Sequence, residues 1–118
     1  MSTSDPPFQK ALNGGLLGLA VLAVLAATNE DVYPYELIKR LRERGGELPF
    51  SAGALYPILR AMAAQGWLSS RIVPSYAGPA RRYYRITDTG RAVLAERLAV
   101  WRRTHEFVDR VTDGMLGA

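Results

Sequence analysis

Two short β-like runs interrupt an otherwise helical pattern of apolar residues, and this interruption constrains the fold more than any other feature. The runs cover residues 68–73 and 81–87, and the seven residues between them include two prolines and a glycine, which predicts a hairpin with a loose tip. A two-stranded hairpin is not stable alone in water. It must therefore pack against the helices predicted on either side of it.

The rest of the chain has the 3.6-residue apolar period of four helices. Their predicted bounds are about 9–28, 34–44, 51–66 and 87–112. Ser51 and Thr87 are the predicted N-caps of the last two, and Asp88 is suited to the first turn that follows Thr87. Pro57 lies past the first turn of the third helix, where it removes a backbone donor, so a kink or a shifted helix start is expected there.

Three helices, a hairpin and a long final helix are the order of a winged helix-turn-helix domain, a mainly α fold with a small β-hairpin. The 118 residues suffice for one core. We predict a flexible N-terminus over 1–9, where Pro6 and Pro7 resist helix formation, a DNA-binding winged helix-turn-helix domain over 10–87, and a C-terminal dimerisation helix with its tail over 88–118.

The net charge of +4 is small, but it is unevenly placed along the chain. Between Glu47 and Asp88 no residue is acidic, while the same stretch carries five arginines and four tyrosines. Such a basic, aromatic-rich region is suited to binding a polyanion, because cations near phosphates release condensed counterions. The alternative is a solvated surface that is merely basic.

Cysteine is absent and His105 is the single histidine. These counts exclude disulfides, cysteine zinc sites and multi-histidine metal sites, so no metal and no cofactor are expected. They also favour a reducing compartment, which we interpret as the cytoplasm. No Ser-His-Asp arrangement or glycine-rich phosphate loop is recognisable, and we predict that the chain is not an enzyme.

The uncharged segment 11–29 superficially resembles an export signal or a membrane span. Only one cation, Lys10, precedes it closely, and glycines and alanines dilute its hydrophobicity. We therefore interpret the segment as a buried helix and expect no membrane partner.

Two apolar lines run along the last helix. One comprises Leu94, Leu98, Trp101, His105 and Val108, and the other comprises Val93, Val100, Phe107 and Val111. Two lines indicate two packing partners, the chain's own domain and a second copy of the chain. The first of these lines, together with Leu16 of the first helix, is the predicted homodimer interface.

Several motifs occur in a recognisable order. Residues 51–59 read SAGALYPIL, residues 66–68 read GWL, and residues 82–87 read RYYRIT shortly before Gly90. Over about residues 10–112 this order closely resembles the PadR family of transcriptional regulators. The resemblance implies a homodimeric DNA-binding regulator, usually a repressor, whose partner is double-stranded operator DNA. The length resembles that of the short subfamily that includes multidrug-sensing members.

The third helix is the candidate recognition helix, since the N-terminal residues of such a helix approach base edges and phosphates. The candidate DNA-binding residues lie there, in the hairpin and at the start of the second helix: Ser51, Gly53, Tyr56, Arg60, Arg71, Arg81, Arg82, Tyr83, Tyr33, Tyr35 and Lys39. Tyr56 is alternatively a half-buried core ring, core packing is expected for one of Tyr33 and Tyr35, and at least one arginine is expected only to solubilise the hairpin.

Trp101 matches the position of a tryptophan that stacks flat aromatic ligands across the dimer in multidrug-binding members. The resemblance thus implies a site for a planar aromatic effector, for which the candidate residues are Trp101, Leu12, Gly15, Leu19, Arg97 and His105. The alternative is that Trp101 fills the dimer core. His105 and Glu106 depart from the Asp and Lys more usual there, which leaves the ligand range open.

A second hypothesis belongs to a different functional class. A winged-helix module without specific DNA binding would use the same fold to bind a protein or an acidic surface. The acid-free arginine stretch argues against this alternative without excluding it.

Overall fold

The computed structural model describes residues 6–115 as helices and one antiparallel hairpin. The elements follow in the order α1 (Pro6–Thr28), α2 (Pro34–Gly45), a 3-10 turn (Ala52–Ala54), α3 (Leu55–Ala64), β1 (Leu68–Val73), β2 (Arg81–Ile86) and α4 (Asp88–Val111). This arrangement confirms the predicted fold class, a winged helix-turn-helix with a long C-terminal helix. The described chain measures 56 × 33 × 22 Å along its principal axes, because α4 extends beyond the core.

Apolar side chains from the first three helices and the hairpin form one core. Its buried members are Leu17, Val21, Leu22, Val24, Leu25, Val32, Leu37, Leu41, Leu55, Leu59, Met62, Leu68, Tyr84 and Ile86. Val93 and Leu94 of α4 pack against the edge of this core. Within residues 6–115 no polar or charged side chain is buried, so the groups able to bind a polar partner lie on the surface.

The helix α1 begins earlier than predicted. It starts at Pro6 rather than near Gln9, so residues 6–9 of the predicted N-terminal segment are helical, and residues 1–5 lie outside the described part of the chain. A proline is tolerated in a first helical turn because the N–H that it lacks has no partner within the helix there.

By length and composition alone, α1 also qualifies as a membrane span among the described helices. Its C-terminal half is nevertheless core, since Val21, Leu22 and Leu25 are completely covered by the protein. Its N-terminal half is less buried, with Leu12 38% exposed. The helix thus packs as a core helix over one half and presents apolar side chains to solvent over the other.

The start of the third helix is shifted, as Pro57 predicted. A 3-10 turn precedes α3, which places Pro57 in the first turn of the α-helix, where its missing N–H leaves no hydrogen bond unmade. The predicted capping role of Ser51 is wrong, because its side chain accepts no capping hydrogen bond. Its backbone carbonyl instead accepts from the Ala54 N–H at 3.0 Å.

The hairpin is fixed to the helices by its backbone and by its inner face. Val32 and Tyr84 exchange two backbone hydrogen bonds, at 2.9 and 2.8 Å, which ties the α1–α2 loop to β2. Tyr84 and Ile86 are buried, as their alternation predicted. Thr87 caps α4 as predicted, with its side-chain oxygen accepting from the Gly90 N–H at 3.0 Å.

Candidate nucleic-acid interface

The start of α2 carries a cluster of aromatic rings and one cation, which we call the tyrosine–arginine cluster: Tyr33, Tyr35, Tyr83 and Arg81. The Tyr33 and Tyr35 rings stack with centroids 6.3 Å apart, and the Tyr83 ring meets Tyr33 edge-on at 5.4 Å. The Arg81 guanidinium lies 4.6 Å from the Tyr33 ring centroid, within cation–π distance. The cluster joins the start of α2 to the hairpin across a solvent-exposed surface.

The expectation that one of Tyr33 and Tyr35 belongs to the core is wrong. Tyr35 is 71% exposed, and Tyr33 is half-buried beneath Arg81 rather than inside the core. Pro34 explains why both rings sit at a helix start, because it holds Tyr33 in an extended conformation and begins α2 directly after it.

On α3, Tyr56 and Arg60 are one helical turn apart and face outwards. Tyr56 is 46% exposed and is not among the residues of the buried core. Gly53 and Ser51 lie exposed just before α3, and a Cβ added to Gly53 would meet no atom of the chain within 4 Å. The fold therefore does not itself require a glycine at this position.

The cluster, α3 and the hairpin together enclose an open cavity of about 630 Å³. It is lined by Tyr33, Pro34, Tyr35, Tyr56, Arg60, Ala80, Arg81, Arg82 and Tyr84. Three guanidinium groups and four tyrosine side chains thus surround one concave surface, and none of its lining residues is acidic. Phosphate oxygens are well matched to such a surface, since guanidinium groups bind them through two parallel hydrogen bonds.

Other candidate residues lie beside this cavity rather than in it. Lys39 lines an adjoining groove together with Glu36, Arg40 and Glu43, and Glu36 is paired with Arg40. Within the cavity, Arg82 donates from Nη1 to the Ser70 Oγ at 3.2 Å, which orients its side chain across the hairpin.

The hairpin also has an acidic neighbour that the sequence stretch lacks. Asp31, in the α1–α2 loop, accepts from the Arg71 guanidinium at 2.8 Å and from the Arg85 Nε at 3.1 Å. The hydrogen bonds from Arg71 and then Arg85 hold the pKa of the Asp31 carboxyl below its usual value. The acid-free stretch is consequently not acid-free in space, and Arg71 is ion-paired rather than free.

A second cavity, of about 360 Å³, lies between α1 and α4. It is lined by Gly15, Leu16, Leu19, Arg97, Val100, Trp101 and Thr104. Gly15, Leu19, Arg97 and Trp101 were candidates for an effector site, whereas Leu12 and His105 lie outside the lining. Val100 and Thr104 were missed as lining residues, although they occur one and three positions from Trp101 on the same helix.

Two contacts position the side chains around this second cavity. His105 stacks on Trp101 with ring centroids 5.2 Å apart and planes 6° from parallel. The Arg97 guanidinium lies 4.5 Å from the Trp67 ring centroid, and Trp67 follows directly on the turn that ends α3. Arg97 therefore lines the cavity and also contacts Trp67, in the segment that follows the candidate recognition helix.

The candidate dimer residues differ in how deeply they are buried within a single copy of the chain. Leu94 is half-buried and packs against the core of its own chain. Leu98 and Trp101 are half-buried, while Val108 is 49% exposed. Phe107 and Val111, predicted for the second line, are exposed alongside Val108.

Comparison with known proteins places these features in context. Residues 21–96 match the model of the transcriptional regulator PadR-like family. A PadR-like transcriptional regulator from Bacillus cereus is 31% identical, with 88% of this chain and 98% of that chain covered and a TM-score of 0.69. A PadR family regulator from Eggerthella lenta is 32% identical, with 91% and 96% covered and a TM-score of 0.67.

A more distant similarity involves a protein solved on DNA. PadR from Bacillus subtilis, whose structure contains operator DNA, is 21% identical, with 70% of this chain and 46% of that chain covered and a TM-score of 0.61. This similarity is one of fold. The matched family and these structures are transcriptional regulators rather than enzymes, in agreement with the prediction from the sequence.

Proposed function

The chain belongs to the PadR-like family of transcriptional regulators, and from this premise we propose that it is a cytoplasmic, homodimeric repressor that binds double-stranded operator DNA. The cavity formed by the tyrosine–arginine cluster, α3 and the hairpin carries this proposal. Its three arginines face one concave surface with no acidic lining residue. The relative solved with operator DNA shares the fold that presents this surface.

In this proposal α3 enters the major groove and the hairpin lies alongside it. Tyr56 and Arg60 project from the exposed side of α3, where a ring can meet a thymine methyl group and a guanidinium can meet guanine or phosphate. Few other side chains on α3 are polar. Recognition of the operator therefore depends strongly on DNA shape as well as on base edges.

The remaining candidate residues act on the DNA backbone. Ser51 and Gly53 permit the chain to approach a phosphate closely at the start of the recognition helix, where Gly53 has open space around it. Arg81 and Arg82 leave the hairpin tip towards phosphate or the minor groove. Tyr35, Tyr83 and Lys39 flank the same surface and are suited to phosphate contacts.

Titration of DNA from upstream of the protein's own coding region tests this proposal. Binding should weaken steeply with salt, and Arg82→Ala should lower affinity and reduce the magnitude of the logarithmic salt slope by about 0.9, as expected for one lost phosphate contact. Arg102→Ala, which removes an exposed arginine from α4, is the matched control and should change neither. Salt-insensitive binding, or none to any genomic fragment by an intact dimer, would contradict the proposal.

We also propose that a planar aromatic effector binds between α1 and α4 and relieves repression. Trp101 and Arg97 line the cavity there together with apolar side chains of both helices. An effector changes DNA affinity only by its different affinity for the two conformations of the dimer. Binding at α1 and α4 would have this effect if it altered the spacing of the two recognition helices.

Tryptophan fluorescence distinguishes an effector site from a simple packing role for Trp101. Planar aromatic dyes should quench the tryptophan fluorescence of the wild-type protein, and the quenching should vanish in Trp101→Ala. Trp67→Phe is the control, because Trp67 does not line this cavity and its loss should leave dye quenching in place. Quenching that persists in Trp101→Ala would instead place the dye near Trp67 or in nonspecific sites.

A further inference from the structure

We propose that Asp31 determines the DNA specificity of the hairpin by withholding Arg71 and Arg85 from DNA phosphates. This inference rests on the proposed DNA-binding function. It divides the five arginines of the acid-free stretch into two groups. Arg60, Arg81 and Arg82 line the open cavity, whereas Arg71 and Arg85 share one carboxylate.

The geometry around Asp31 uses both of its oxygens. Arg71 donates to Oδ2 at 2.8 Å, and Arg85 donates to Oδ1 at 3.1 Å. The Arg71 side chain is 66% exposed, so a phosphate group would reach it if the carboxylate were not in place. In the free protein, the Asp31 carboxylate therefore lies where a DNA phosphate would lie if it bound these two guanidinium groups.

The hairpin does not need this carboxylate to keep its position. Val32, the residue after Asp31, exchanges two backbone hydrogen bonds with Tyr84. Tyr84 and Ile86 are also buried in the core beneath β2. Because backbone and core already fix the hairpin, removal of the charge should free the arginines without displacing the strands.

The strand register shows where these cations lie on the hairpin. Arg71 pairs with Tyr83 and Ser69 pairs with Arg85, whereas Arg82 pairs with Ile72. Since successive side chains alternate between the two faces, Arg71, Arg81 and Arg85 share one face and Arg82 lies on the other. On the shared face, Arg81 lies at the tip end of β2 and contacts Tyr33, while Arg71 and Arg85 lie further from the tip and pair with Asp31.

Specificity follows from this division. Phosphate contacts strengthen binding to every DNA sequence, whereas contacts within the grooves discriminate between sequences. Two additional free arginines would raise affinity for random DNA more than they would improve operator recognition. Asp31 thus suppresses nonspecific binding by the hairpin.

The test compares full-length wild type, Asp31→Asn and Glu96→Gln on an operator fragment and on a random duplex of equal length. Glu96→Gln makes the same change in net charge at an exposed position of α4. We expect Asp31→Asn to bind random duplex more tightly. Between 50 and 200 mM salt, the fold-loss in affinity of Asp31→Asn should be ~3 to ~12 times that of wild type, as expected for one or two new phosphate contacts. Glu96→Gln should retain the wild-type slope.

A second substitution identifies the freed group. Arg71→Ala should leave the salt slope of wild type unchanged but should remove about half of the gain in Asp31→Asn. Circular dichroism and thermal melting verify the fold, and Asp31→Ser replaces Asp31→Asn if the latter does not fold.

The outcomes separate this inference from the function on which it rests. An unchanged slope in Asp31→Asn with intact operator binding overturns the inference and leaves the DNA-binding proposal standing. Weaker binding of Asp31→Asn to both duplexes also overturns it, because Asp31 would then position the arginines on DNA. Absence of salt-dependent binding by wild type overturns both.

Discussion

Gly90 shows how closely a single residue can be constrained by its neighbours. It lies buried in the first turn of α4, where the helix crosses the segment leading into β1. A Cβ at this position would overlap the carbonyl oxygen of Trp67 and lie 2.8 Å from Cγ1 of Ile86. The sequence shows Gly90 within a recognisable motif. The structure shows why a glycine is needed there, because the backbone of α4 closely approaches the backbone at Trp67.

We expect Gly90→Ala to lower the free energy of unfolding by about 1–3 kcal/mol, the usual cost of overpacking. Urea denaturation at fixed protein concentration measures this change. Gly14→Ala is the matched control, because a Cβ there meets nothing within 4 Å and alanine favours α1 by up to about 1 kcal/mol. Equal stability of Gly90→Ala and wild type would show that the helix and hairpin can separate without cost.

At the scale of elements, the junction between the hairpin and α4 couples the two. The Thr87 side-chain oxygen accepts from the Gly90 N–H, and its hydroxyl lies 2.7 Å from the Gly66 carbonyl oxygen and 3.0 Å from that of Trp67. One side chain therefore begins α4 and ties it to the turn that ends α3. The α1–α2 loop is joined to β2 in a similar way through Val32 and Asp31.

Loss of the Thr87 hydroxyl should destabilise this junction. Thr87→Ala is expected to reduce the free energy of unfolding by about 1 kcal/mol, with an upper limit near 2 kcal/mol, as for other N-cap residues. Thr87→Ser retains the hydroxyl and should recover most of that loss. If the alanine and serine variants melted at the same temperature, the hydrogen bonds at this junction would contribute nothing to stability.

The Asp31 ion pairs predict a specific pH dependence. Because the arginines lower the pKa of the folded carboxyl, the pairs stabilise the protein above the ordinary value of 3.8, and this stabilisation is lost as pH falls through the lower folded pKa. Asp31→Asn should thus be less stable than wild type at pH 7, by at most about 1 kcal/mol for surface pairs. The difference should disappear in strongly acidic solution, as measured by denaturation at several pH values. A difference that grew on acidification would contradict this assignment.

For the whole molecule, the principal feature is an apolar surface that a single copy leaves open. The N-terminal half of α1 exposes Leu12, and the C-terminal half of α4 exposes Phe107, Val108 and Val111. Exposed apolar surface of this extent is typical of an interface. We propose that a second copy covers it, with the effector cavity between α1 and α4 at its margin.

Val108→Glu should therefore dissociate the dimer, because it would place a carboxylate within an apolar contact. Sedimentation velocity measures the change, and the monomer should bind operator DNA more weakly since half of the recognition helices are lost. Arg102→Glu is a charge-altering control on the same helix and should leave the dimer intact. A wild-type protein that sediments as a monomer at micromolar concentration would exclude this interface.

Local periodicity and local chemistry sufficed for much of the fold. Alternation predicted the buried faces at Tyr84 and Ile86, and Thr87 was recognisable as a cap because capping depends on a neighbour only three residues away. The early start at Pro6 and the failure of Ser51 to cap were missed, since several start positions satisfy the same local pattern. The sequence indicated that arginines and tyrosines would form the candidate site. It did not indicate which of them line the same cavity.

The sequence by itself determined the order of elements, the absence of cysteine and the placement of five arginines in a stretch without acids. Only the tertiary structure decided which of those arginines are free. Asp31 lies 40 residues from Arg71 and 54 from Arg85, yet it accepts hydrogen bonds from both. Ion pairing depends on distances of a few ångströms through space, and a pattern along the chain carries no record of distances that arise only when the loop and hairpin meet.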